Sequence, residues 1–146
     1  YVNANIIRLD FCNAIYQSIR YLQKEDNYSF YNCIPIYKEY HKIVASLCGE
    51  YSLKELSYIY QLYGILEECS KMVEFYWRNG SVDIITVRNA YKNVLEKIYG
   101  SNYLKVLSKN IDYIGYKDLC NDSLMKEGYR NVLKSLDEIC NSEHEK

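Results

Sequence analysis

The sequence predicts an all-α protein, an antiparallel helical bundle of about five to six helices around a central helix at residues 52–79. Three observations predict it. One proline and six glycines in 146 residues leave few places to break a helix. Apolar residues recur at spacings of three and four through most of the chain, and no useful length alternates with the period of two that a strand needs. Eighteen tyrosines supply rings with an apolar body and a polar tip. A chain of this length is expected to form one domain, residues 1–146, with a frayed tail at 142–146.

The first helix is expected over residues 3–24. Ile7, Phe11, Ala14, Ile15, Ser18 and Leu22 make one buried face, and Tyr16 points away from it. Pro35 is expected in the first turn of a second helix, where its missing N–H costs nothing. There Ile36, Tyr40, Ile43, Val44 and Leu47 face inward, and Gly49 supplies a left-handed stop.

The third helix carries the clearest signals. Ser52 and Glu55 form a capping box, each side chain satisfying a free backbone N–H. Leu56, Ile59, Tyr63, Leu66, Val73 and Trp77 make one stripe, and Tyr58, Leu62, Ile65, Cys69, Met72 and Tyr76 an adjoining one. So wide an apolar arc must be covered on more than one side, which places this helix at the centre. Gln61, Glu67, Lys71, Glu74 and Arg78 remain for water. Gly64 in mid-helix is unfavourable by about 1 kcal/mol against Ala, which marks a close helix contact.

Asp83 caps a fourth helix, with Val87, Tyr91, Val94, Leu95 and Ile98 inward and Gly100 at its end. A fifth runs from Ser101 or Asn102 to Gly115, burying Leu104, Leu107, Ile111 and Ile114. The last begins after Asn121 or Asp122 and buries Met125, Tyr129, Val132, Leu133, Leu136 and Ile139. Short links between long helices predict an up-and-down order.

Composition narrows the function. An apolar fraction of 49% and a net charge of −1 exclude a disordered chain. The near-neutral balance argues against nucleic-acid binding as the main role, since duplex binding shows a basic excess. No window approaches 18 continuous apolar residues, and no charged-then-apolar leader opens the chain. It begins at Tyr1 without Met, so membrane attachment is expected only through a segment absent from this chain. Preference for Ile, Tyr, Asn and Lys over Ala and Pro suggests an AT-rich genome, bacterial or phage.

Of the six cysteines, Cys12, Cys48, Cys69 and Cys140 fall within or beside apolar stripes, where a thiol packs as a small hydrophobe. None belongs to a C-x-x-C pair, so no metal site is expected. Reduced thiols point to the cytoplasm. Six cysteines with three N-x-S sequons, at Asn27, Asn79 and Asn121, support an alternative: a secreted, disulfide-linked helical domain of a parasite or virus.

The catalytic inventory is thin. His41 is expected on the solvent side of the second helix and His144 in the tail; no H-E-x-x-H exists. Glu67 and Glu68 resemble an acid–base pair on the long helix, but Lys71 follows Glu67 at the spacing of an ordinary helix salt bridge. Glu68 borders the apolar arc and is expected as a buried hydrogen-bond acceptor. No phosphate loop or nucleophile elbow is present.

The run Arg88-Asn89-Ala90-Tyr91-Lys92-Asn93 resembles the motif of all-helical RNases of the HEPN class, with Asn where the general base His should stand. That resemblance implies a helical RNase-like domain, active or degenerate. Leu66-Glu67-Glu68 through Phe75, then Asn79 to Asp83 and the next helix, resembles a family of uncharacterised bacterial helical domains of unknown function. It implies a small accessory domain, cytosolic or membrane-tethered, and brings no active site.

Tyr16, Tyr31, Tyr37, Tyr51 and Tyr116 fall outside the clearest stripes or near helix ends and are the candidate partner-binding residues. The function expected is a non-enzymatic protein-interaction or regulatory domain, with a protein partner, a possible homodimer, and no cofactor or metal.

Overall fold

The computed structural model describes residues 2–23, 32–80, 82–110, 113–115, 118 and 122–144. Among the described residues there are helices and no strand. We number them α1 (Val2–Gln23), α2 (Tyr40–Ala45), α3 (Leu53–Asn79), α4 (Ile84–Tyr99), α5 (Tyr103–Val106, entered through a 3-10 turn at Gly100–Asn102) and α6 (Glu127–His144).

Local chemistry sets most of these ends. The Ser52 hydroxyl oxygen accepts the Glu55 N–H at 3.2 Å, so one half of the expected capping box forms. The other half does not. The Glu55 carboxylate accepts the hydroxyls of Ser52 (3.2 Å) and Ser135 (3.3 Å), joining α3 to α6. Gly80 ends α3 at φ 63°, where a side chain would be strained. The Asp83 carboxylate accepts the Thr86 N–H at 2.8 Å and the Thr86 hydroxyl at 2.9 Å, which lowers its pKa.

The second and fifth elements are shorter than their periodicity suggested. Pro35 and Ile36 lie in an irregular strap that precedes α2, and α5 is a single turn. Gly49 does not adopt a positive φ. In the second element Tyr40, Ile43, Val44 and Leu47 are buried as expected, but in the fifth Leu104 is exposed, because a single turn leaves it nothing to pack under, and Ile111 lies outside the described residues.

The helices assemble around two long parallel rods, α1 and α3. These are bridged by α4 and α6, and also by the strap and α2. Each neighbouring pair of long helices is antiparallel. In the α1–α4 pair, the Arg88 guanidinium donates to the Leu22 carbonyl at 2.8 Å and Tyr91 rests on Tyr21 with ring centroids 4.8 Å apart. In the α1–α6 pair, Arg8 meets Asp137 at 2.9 Å while Phe11 faces Tyr129. Along α3, Lys97 of α4 donates to Gln61, and the Tyr129 hydroxyl of α6 donates to the Tyr58 carbonyl at 3.1 Å. The Lys126 N–H donates to the Ile98 carbonyl at 2.9 Å, so α6 takes up where α4 ends.

Two expectations change here. The up-and-down order fails because only the α3–α4 link is short; the segments 24–52 and 100–126 are long enough to return the chain along the bundle. The long helix also does not act as a lone hub, since α1 shares that position. Leu62 is fully buried, but Ile65 and Met72 are half-buried, and Phe75 and Trp77 are exposed, Trp77 by 50%. Gly64 makes no close helix contact: a Cβ there would meet nothing within 4 Å.

Candidate functional site

Among the described residues, the buried core contains one carboxylate, Asp10, only 6% exposed. It stands on the apolar face of α1 between Ile7 and Ala14. Its Oδ2 accepts the Tyr63 hydroxyl at 2.7 Å and the Tyr37 N–H at 3.1 Å, so it ties α1, α3 and the strap together. Burial raises the Asp10 pKa, while the two hydrogen bonds pull it the other way. The same desolvation, with the Asp10 charge beside it, pushes the Tyr63 hydroxyl upward.

An aromatic stack runs outward from this point. Tyr40 lies face to face on Tyr63, with centroids 4.2 Å apart and planes at 7°. His41 packs on Tyr40 at 4.1 Å and on Tyr60 at 5.9 Å, and the Tyr60 hydroxyl donates to the His41 carbonyl at 3.3 Å. His41 is exposed, as its sequence position suggested, and serves here as a surface ring. The stack fixes α2 against α3.

Beside the stack, the strap and α3 enclose a groove of about 370 Å³. Ile34, Ile36 and Tyr40 supply its apolar part; Lys38 stands on the strap, and Glu67, Lys71 and Glu74 stand on α3. The Cys33 thiol donates to the Ser70 carbonyl at 3.6 Å, holding the strap to the helix. Burial, then the hydrogen bond to Glu67, pushes the Tyr40 hydroxyl up to about 12, so Tyr40 is a proton donor toward that carboxylate. The expected Glu67–Lys71 salt bridge is not made. Among the described residues, none of Lys38, Glu67, Lys71 and Glu74 has an ion-pair partner.

The five candidate tyrosines do not converge. Tyr37 is on the strap and 43% exposed. Tyr16 is half-buried and donates to the Ile114 carbonyl at 2.8 Å, a tether for the 113–115 segment. Tyr51 is 6% exposed and belongs to the core, which removes it from a contact surface. Tyr31 and Tyr116 lie outside the described residues. Sequence reasoning missed the exposed rings of Tyr113 and Tyr60; Tyr60 was missed because its neighbours in α3 read as one continuous apolar arc.

The remaining chemistry is dispersed. Arg88 holds the C-terminal carbonyls of α1, whereas Asn93 lines a separate groove between α3 and α4 with Glu68, Met72 and Asn89. The two ends of the RNase-like motif therefore face different neighbours. Glu68 is exposed at this groove and not buried. Cys33, Cys48, Cys69 and Cys140 carry free thiols, with Cys48 exposed and Cys69 raised to about 12 by burial and then by nearby Cys33. Among the described residues, no group of three His, Cys, Asp or Glu side chains is placed to hold a metal ion, and no helix is long and apolar enough to cross a membrane.

No family model, curated protein or solved structure matches the chain.

Proposed function

We propose that this chain is a non-enzymatic helical domain that binds a protein partner, and that it does so with the face formed by the strap, α2 and the outer side of α3. One observation carries this reading: Tyr37, His41 and Tyr60 are held at the surface, two of them in a ring stack rooted in the core, beside a groove whose charged side chains make no ion pair among the described residues. Rigid rings cost little entropy to bury, which is why aromatic residues concentrate binding energy. The free thiols support a reducing compartment such as the cytoplasm.

The test compares wild type with the Tyr37→Ala/Tyr60→Ala double variant. Light scattering after size exclusion gives the oligomeric state, and affinity capture from the native host recovers the partner. Loss of a defined partner in the double variant, with an unchanged thermal melt, supports the reading. A strict monomer from which both proteins recover the same background overturns it.

A further inference from the structure

The strap beside α3 has an unusual main chain. Among the described residues, Cys33, Ile34 and Ile36 make no main-chain hydrogen bond, while Tyr37 gives its N–H to Asp10 and Asn32 accepts the Tyr91 hydroxyl. Backbone N–H and C=O groups that no internal partner satisfies are left to water or to a ligand. Cys33, Ile34 and Ile36 are residues of the groove's lining.

The opposite wall is patterned. Glu67, Lys71 and Glu74 follow one another along one side of α3, which places them about 6 Å and about 4.5 Å apart along the axis. Side chains on one face of an extended peptide are spaced about 6.7 Å apart. On this wall the middle position, Lys71, is cationic and the two flanking positions are anionic, and Lys38 lines the same groove from the strap.

We propose that this groove receives an extended segment of the partner with the pattern basic–x–acidic–x–basic, its acidic residue at Lys71, its basic residues at Glu67 and Glu74, and its main chain bonded to the strap. This rests on the protein-binding reading above and assigns it a ligand class. Main-chain pairing supplies affinity, and the charge order supplies direction and selectivity.

Fluorescence anisotropy tests it with the purified chain and two labelled peptides, Lys-Val-Glu-Val-Lys and its charge inverse Glu-Val-Lys-Val-Glu. The native chain is expected to prefer the first by about tenfold, and Lys71→Glu to abolish or invert that preference, since one reversed pair exchanges attraction for repulsion. A copy of the first peptide N-methylated at its central amides is expected to bind at least about tenfold more weakly. Equal binding of the two charge patterns, or a preference unchanged in Lys71→Glu, overturns the assignment. A captured partner that binds Lys71→Glu as well as wild type, yet is lost from Tyr37→Ala/Tyr60→Ala, overturns the groove and leaves the protein-binding reading standing. Circular dichroism melts of each variant separate lost binding from lost fold.

Discussion

Two helical glycines behave in opposite ways. At Gly128, in the first turn of α6, an added Cβ would meet the Tyr58 ring at 2.6 and 2.7 Å. At Gly64, halfway along α3, it would meet nothing within 4 Å. The first glycine lets α6 lie flat on α3, where Tyr58 packs on Tyr129 with centroids 5.2 Å apart. The second is surplus to the fold. One face of α3 is thus closed to a single methyl group, while at Gly64 the helix has room for one, and Glu67 and Lys71 of the proposed groove follow Gly64 by one and two turns.

Substitutions on the two faces sharpen or break that contrast. On the closed side, Tyr63→Ala removes a fully buried ring that touches Tyr40, Phe11 and Asp10. Urea unfolding is expected to show a loss of about 3–5 kcal/mol. A loss below about 1 kcal/mol would mean the inner face is not packed as described. Gly128→Ala comes next, with an expected loss of about 1–3 kcal/mol from overpacking against Tyr58. The double variant Gly128→Ala/Tyr58→Ala distinguishes this cause, because the cost of the methyl group should disappear when the ring is absent. Gly64→Ala has the reverse sign, a gain of about 1 kcal/mol in the same assay. A loss at Gly64 would show that the open face is covered in solution.

The gentlest probe is pH. Asp10 has a folded pKa raised above its ordinary value of 3.8 by burial. In the window from that value up to the folded pKa, the native state holds the proton more tightly than the unfolded chain. Stability therefore falls as pH rises through this window and then levels off. Asp10→Asn lacks this slope, so its stability relative to wild type should climb with pH across the same window. A relative slope of opposite sign, measured by urea titrations at several pH values, would show that the two hydrogen bonds outweigh desolvation.

Much of the scaffold was legible from local pattern. Ser52, Asp83, Gly80 and Gly100 mark real helix ends, and the inward residues of α1, α4 and α6 follow from spacing alone. The misreadings share one physical origin: periodicity reports which side of a residue is apolar, not which neighbour covers it. Trp77 continues a stripe past the point where the bundle ends. Pro35 suits a helix start as well as the irregular strap it occupies. Gly64 looked like a contact because contact is the common reason to retain glycine in a helix.

The candidate site was less legible. Its groove joins strap residues 33–40 to residues 67–74 across the fold, and no local motif encodes that meeting. One clue was available. Asp10 interrupts the apolar face of α1, and a carboxylate in such a place needs hydrogen-bond donors nearby. Tracing those donors leads to Tyr37 and Tyr63, and so to the strap.

The clasp between Arg8 and Asp137 spans 129 positions, and it has a bearing on biosynthesis. Phe11 and its neighbours leave the ribosome well before Tyr129, the ring they pack against, has been made. Until then the leading rod carries a bare greasy flank. Closure of this domain consequently waits for α6, and a nascent chain stalled before Glu127 would be a natural client for chaperones.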